Sequence, residues 1–298
     1  VKSNPITHIF LALATFITLT LKDYIFPPYE EDFVKLVLSE IPYSTALFII
    51  LFAHEMGHYI PARFYGISST LPYFIPMPFG PIGTMGAVIK IQEPIPDKKK
   101  LFDIGIGGPL MSFVLSVPCW ILGLYWSEII PIGDHPSSLD IPILGDSLFT
   151  HYSTIWVHRE LNPLEEDILI HPLAKAGWVG LVITAINLLP FGQLDGGHVI
   201  YSLFGEKYRN WIYYLFIAFL GLGFVSFTWV IWGLILFFGI KVEHPYVPDS
   251  VEKLGAFRVF LGGFMLLSLI FIFVPIPIST LREMNSTFLY EDILRLFF

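Results

Sequence analysis

Cysteine is almost missing from this chain. Among 298 residues only Cys119 carries a thiol, which excludes a disulfide framework and a thiolate zinc cluster. Charge is also scarce: 14% of residues are charged against 54% hydrophobic, and the mean hydropathy is +0.68. That balance excludes an ordinary soluble globular domain. The few basic residues form no stripe and the net charge is −8, so nucleic acid is excluded as a partner. No internal repeat or low-complexity tract is present.

What remains is a series of long apolar runs. A membrane-crossing helix needs about 20 mostly apolar residues, and candidates lie near 5–21, 41–62, 101–126, 172–190, 209–225, 227–241 and 256–274. The apolar stretch 208–240 is continuous. As one helix it would be about 48 Å long at ~1.5 Å per residue, too much for a hydrocarbon core of ~30 Å. Two short helices turning near Gly221 to Ser226 are expected instead. The first run, "HIFLALATFITLTL", is followed by "KDYIFPPYEEDF" without small residues at a cleavage site, and reads as a retained span. With the amino terminus inside, the outer segments hold Lys22, Lys35, Arg159, Lys175, Arg282 and Arg295, leaving 11 of the 17 basic residues inside. That asymmetry follows the positive-inside rule. The expected fold is an all-α polytopic membrane protein with about six or seven transmembrane helices.

Three stretches interrupt the spans. Residues 70–96, "TLPYFIPMPFGPIGTMGAVIKIQEPIP", hold prolines at 72, 76, 78, 81, 94 and 96, a density no helix accepts. The stretch is nevertheless apolar, and "MGAVIKI" reads as a short strand. A membrane-associated, re-entrant β segment is expected, since irregular backbone at membrane depth must be buried in protein or line a wet cavity. Residues 127–171 form an outer loop carrying most of the outward acids, and 242–255 is a short connector. The tail 281–298 has apolar positions at helical spacing and is expected to be an amphipathic surface helix.

Within the second run, "LFAHEMGHYI" places two histidines and a glutamate. His54 and His58, at i and i+4, project from one helix face and can share one metal ion. Glu55 beside them can take a proton from water at the metal. This is the H-E-x-x-H pattern of zinc hydrolases, and ionisable groups inside an apolar span mark a functional site by default. Helix-packing histidines with a buried glutamate are the plainer alternative. A catalytic zinc needs a third protein ligand. Pro61 and Phe64 exclude the H-x-x-G-x-x-H extension, and no acid occurs between Glu55 and Glu93. The best candidate is Asp195 in "INLLPFGQLDGGHVI", 186–200, at the inner end of a later span. Gly192, Gly196, Gly197 and Pro190 are expected to break the helix there. His198 is a rival ligand, with an orienting role favoured. His8 and His244 are expected at the membrane interface rather than at a metal. A metal transporter would spread its ionisable residues through the membrane depth, whereas here they gather at one end.

"HEMGH" on one span and "NLLPFGQLDGGH" at the end of a later one together resemble the site-2 protease family of intramembrane zinc metalloproteases, peptidase family M50, over roughly 41–200. The resemblance implies that His54, His58 and Asp195 bind one Zn2+, that Glu55 is the general base and that Asn187 helps to stabilise the substrate carbonyl. "GIGGPLMS", 105–112, looks like the family's small-residue packing motif. The β region around Gly86, Ala87, Val88 and Ile89 looks like the edge that pairs with an unwound substrate strand. The implied partners are the lipid bilayer and a transmembrane protein substrate, such as a membrane-anchored regulator. The implied location is a bacterial cytoplasmic membrane or an organelle membrane, with the active site towards the cytoplasmic side. The expected organisation is a first span and outer loop over 1–40, a catalytic membrane core over 41–200, and additional spans with the tail over 201–298. PDZ and CBS domains, which family members often carry, are not expected.

Overall fold

The computed structural model describes residues 4–25, 33–131, 142–159, 165–249 and 253–280. In chain order the elements are α1 (Pro5–Ile25), α2 (Phe33–Phe64), β1 (Tyr73–Pro76), β2 (Thr84–Val88), α3 (Lys98–Tyr125), β3 (Glu128–Pro131), β4 (Pro142–Leu144), α4 (Leu148–Val157), β5 (Glu166–Leu169), α5 (Pro172–Asn187), α6 (Asp195–Phe204), α7 (Arg209–Leu220), α8 (Phe227–Leu234), α9 (Ala256–Ile272) and β6 (Ile278–Thr280). The tail helix expected over 281–298 lies outside the described residues. Two compact units result: Val1–Ile129 with Ile168–Thr184, and Ile130–Asp167 with Ala185–Phe298.

In the first unit α1 is turned inside out relative to a helix in water. Ile6, Ile9, Phe10, Leu13 and Ile17 are exposed, while His8, Thr15 and Lys22 are buried with Leu19. Apolar residues outside and polar residues inside is the arrangement that lipid selects. Helices α1, α2 and α3 are each long and apolar enough to cross a membrane. The other apolar helices fall where expected but are shorter, with 16 residues in α5, 12 in α7 and 17 in α9. Helices α1 and α2 run antiparallel: Phe16 meets Phe48 at 5.9 Å, and further along Lys22 pairs with Glu40 while lying 4.2 Å from the Tyr43 ring.

Lipid offers no hydrophobic drive for helices to associate, so close packing at small residues must hold them. Gly57 of α2 and Gly107 of α3 meet backbone to backbone, and a Cβ on Gly57 would lie 2.2 Å from the Gly107 carbonyl oxygen. On the other flank of α3, Gly177 and Gly180 of α5 sit against the Trp120 backbone and the Ser116 hydroxyl. Asp97 caps α3 by accepting from the Lys100 backbone N–H. Burial alone would raise its carboxyl, but the backbone and ammonium bonds of Lys100 outweigh that and hold it below its ordinary value.

The proline-rich stretch folds as an antiparallel hairpin of β1 and β2, with Tyr73 opposite Val88 and a bulge before Pro76. It lies along α1. At one end His8 donates from Nδ1 to the Pro72 carbonyl (2.9 Å), and at the turn Gly83 abuts the backbone of Thr18 and Leu19. The positive φ of Gly83, +88°, and the lack of space for a Cβ make glycine necessary there. Tyr43 donates to the Ile82 carbonyl (2.8 Å) and Phe48 stacks on Phe74. The strand expected at 85–91 is thus present as β2, while β1, with proline at its end, is an addition.

In the second unit α7 ends at Leu220, a 3-10 turn covers Gly221–Phe224, and Ser226 caps α8, as the length argument requires. A π-helical turn, Ile235–Ile240, continues α8 and stops at Lys241, whose φ is +70°. Trp229 anchors α8 by donating to the Pro275 carbonyl (2.6 Å) and stacking on Phe273. Strands β4 and β6 pair antiparallel.

Candidate metal centre

His54, Glu55 and His58 share the C-terminal half of α2 and all three are buried. Two contacts with α3 fix the imidazoles. His58 Nδ1 lies 2.7 Å from the Ile104 carbonyl, which can only accept, so Nδ1 carries the proton. His54 Nδ1 lies 3.1 Å from Ser112 Oγ. Ser112 Oγ also lies 3.2 Å from the Gly108 and Pro109 carbonyls and 2.8 Å from the Thr184 hydroxyl, which itself donates to the Gly180 carbonyl (2.7 Å), so Ser112 ties the His54 ring to α3 and α5. The Nε2 atoms of the two rings converge to 3.2 Å. Two nitrogens ~2.0–2.1 Å from a tetrahedral zinc stand about 3.3–3.4 Å apart, so this pair fits the metal. Gly108 completes the seat, since a Cβ there would fall 2.0 Å from His58 Nε2.

The second unit carries the other predicted groups. Asn187 is the last residue of α5, and Asp195 is the first of α6, both partly buried. A carboxylate at a helix N-terminus is favoured by the exposed N–H groups of the first turn. The helix breaks where expected, between Asn187 and Asp195, and Gly196 and Gly197 fall just after the break. They lie inside α6 and let the preceding loop fold back on it: a Cβ on Gly196 would meet the Leu188 carbonyl oxygen at 1.9 Å, and one on Gly197 the Gly192 oxygen at 2.4 Å. Gly192, with φ +53°, donates its N–H to the Val242 carbonyl (2.9 Å).

His8 and His244 are both buried within the protein. His244 Nδ1 donates to the Pro245 carbonyl (2.6 Å), leaving Nε2 to accept from His198 Nδ1 at 2.7 Å. Burial depresses the His244 imidazole below its ordinary value, which keeps Nε2 an acceptor. Its ring stacks on Tyr201 at 4.5 Å and its N–H donates to the Tyr208 hydroxyl. Tyr201 donates to Glu206 and accepts from the Val247 N–H (3.1 Å). Burial, aided by Glu206, pushes the Tyr201 phenol up to about 12, and burial does the same to Tyr208.

Of the predicted substrate residues, Gly86, Ala87 and Val88 belong to β2 and Ile89 follows it. Val88 and Met85 are exposed, Gly86 has φ +100°, and β2 has β1 as its one partner strand among the described residues. Sequence reasoning missed Ser112, Thr184 and Gly57 around the histidines, and the whole contribution of 241–247. Ser112 closes the small-residue motif, and a hydroxyl one helix away from a histidine in an apolar span was the available signal.

Residues 42–223 match the model of Peptidase family M50, a range that includes both the H-E-x-x-H helix and the Asp195 loop. The chain belongs to that family. Its similar relatives include the probable zinc metalloprotease EGY1, chloroplastic, of Oryza sativa subsp. japonica, 31% identical over 78% of this chain and 40% of the relative. EGY1 of Arabidopsis thaliana is 27% identical over 84% of this chain and 45% of the relative. EGY2 of Arabidopsis thaliana is 29% identical over 78% and 42%. The chain thus spans less than half the length of these curated relatives. Their names specify zinc, the metal that the spacing of the two imidazoles suits.

Proposed function

We propose that this M50 chain is an intramembrane zinc metalloprotease that hydrolyses a peptide bond within or near a transmembrane helix of a membrane-anchored substrate. The observation that carries the reading is the convergence of the His54 and His58 Nε2 atoms beside a buried Glu55 in a membrane-length helix. Asp195 is the third ligand in this reading, supplied by the loop that the family range includes. The fold then has six or seven passes, made by α1, α2 and α3 with α5 and the shorter apolar helices. The preponderance of basic residues on the inner segments supports a site towards the cytoplasmic side of a bacterial or organelle membrane.

Zinc, when bound, supplies the Lewis acid that polarises the scissile carbonyl and activates water. Glu55 accepts the proton of the attacking water as the new C–O bond forms. It returns that proton to the amine nitrogen as the C–N bond breaks, so the carboxylate is regenerated. Asn187 donates its amide N–H to the developing oxyanion. A peptide bond in a helix is shielded by its own hydrogen bonds, so the substrate must unwind. Gly86 to Ile89, at the edge of the hairpin, receive the unwound segment by strand addition.

The test is cleavage of a single-span reporter by purified protein in detergent, with metal content measured in parallel. Glu55→Gln should keep its zinc and lose activity by ~10²–10⁴-fold, and stripping the metal should abolish cleavage. A wild-type protein that holds no metal after reconstitution would overturn the reading.

A further inference from the structure

A second polar cluster, outside the H-E-x-x-H helix, occupies the second unit. The segment Lys241–Val247 follows the π-helical turn and crosses the loop that leads into α6, making three separate attachments. Val242 accepts from the Gly192 N–H, His244 accepts from His198, and Val247 donates to Tyr201. The fit at Gly192 is tight, since a Cβ there would lie 2.1 Å from the Lys241 carbonyl oxygen. The departure of the strap from α8 requires Lys241 to take φ +70°, a conformation rare for a residue with a side chain. Strain of that kind persists only where the surroundings over-determine it.

His244 is the best-anchored residue of the strap. Its N–H, both ring nitrogens and its carbonyl are engaged, the last by Arg209 at 3.4 Å, and its ring lies on Tyr201. Arg209 also pairs with Glu206 (2.9 Å) and reaches Glu243 (3.6 Å), closing the cluster towards α7. The bond to His198 runs from His198 Nδ1 to His244 Nε2, because His244 Nδ1 must donate to a carbonyl. His198 follows Asp195 by three residues on the same helix, so the two project from one face. Fixing the His198 ring fixes the rotation of the first turn of α6 about its own axis, and with it the direction of the Asp195 carboxylate.

We propose that His244 is a positioning residue for Asp195, acting through His198, and that Lys241–Val247 is the strap that holds the loop and first turn of α6 ready for the metal. The inference rests on the reading of Asp195 as the third zinc ligand. Partners of this kind are worth ~10–100-fold in metal affinity or activity when removed.

His244→Phe keeps the ring against Tyr201 and deletes the bond to His198, whereas His244→Gln keeps a side-chain acceptor. Three readouts are taken on the full chain in detergent: cobalt affinity and the visible absorption of the cobalt form, kcat and KM on the single-span reporter, and amide hydrogen exchange over 188–197 in metal-free protein. His244→Phe should weaken cobalt binding and lower kcat by ~10–100-fold, with KM within about twofold because the substrate-binding strand is elsewhere. It should alter the cobalt spectrum and speed exchange in 188–197. His244→Gln should recover most of each loss. His198→Phe should match His244→Phe, and the double variant should lose no more than the worse single one. Wild-type cobalt affinity, spectrum and kcat in His244→Phe would overturn the positioning role while leaving the protease reading intact. Additive losses in the double variant would overturn the route through His198. If His244→Phe does not fold, the same cobalt and exchange readouts on His198→Phe decide the matter, with wild-type values overturning the proposal. A wild-type protein that binds no cobalt and cleaves nothing overturns the protease reading, and this inference with it.

Discussion

His54 and His58 are seated where two helix backbones meet, whereas the loop and first turns around Asp195 are held by a separate segment, Lys241–Val247, through backbone at Gly192 and side chains at His198 and Tyr201. Around the histidines, glycines 57, 107 and 108 bring α2 and α3 so close that a single methyl group has no room, and hydrogen bonds to Ile104 and Ser112 orient the rings. Around Asp195, glycines also allow a tight turn, but aromatic and ionisable groups on the strap close it. The first design tolerates no added atom and needs few polar partners. The second is as tight at Gly192, Gly196 and Gly197 but depends in addition on a network in which each bond supports the next.

The sharpest way to break this comparison is Gly57→Ala. The added carbon must push α2 and α3 apart, so stability should fall by about 3 kcal/mol or more, and zinc retention should be lost. Unfolding in mixed micelles, with metal analysis of the folded fraction, reads both; a stable, zinc-replete variant would show that the helices are free to separate. Ser112→Ala probes orientation without steric change. It removes the hydroxyl that His54 Nδ1 meets at 3.1 Å, and zinc affinity should drop by ~10–100-fold in a competition assay against a chelator. Unchanged affinity would mean that backbone packing alone sets the ring. The smallest effect concerns the strap and pH. The folded His244 imidazole resists protonation, while in the unfolded chain it titrates near its ordinary ~6.5. Stability is therefore fully present above that value and declines as pH falls below it, because the unfolded state takes up the proton. Unfolding midpoints between pH 7.5 and 5 should show the decline, and His244→Gln should flatten it.

Much of this was legible from residue patterns. The zinc motif announced itself because three ionisable side chains stood in an apolar run, and the break between α7 and α8 followed from helix rise and bilayer thickness. The positions of β2 and α3 were likewise readable from proline density and from the small-residue motif. What escaped notice shares one cause. The role of Gly57 depends on which helix lies across from it, that of Ser112 on a partner 58 residues away in sequence, and that of His244 on a loop that folds back over α6. Local periodicity carries no information about such pairings. The burial of His8 and His244 likewise depends on segments distant in sequence, since His8 meets Pro72 and His244 meets His198. The use of Gly196 and Gly197 in close packing shows only when a second backbone is in place.

Lys22 gives the molecule a constraint on its own assembly. Its ammonium is sealed from surroundings within the first unit, with the carboxylate of Glu40 and the ring of Tyr43 as companions. All three groups lie where α1 ends and α2 begins. Carried into lipid on α1 alone, that charge would be costly; carried in with Glu40 beside it, the pair is neutral. The ion pair therefore ties α1 to α2 across their antiparallel contact, so that charge balance, and not packing alone, depends on the two helices staying together.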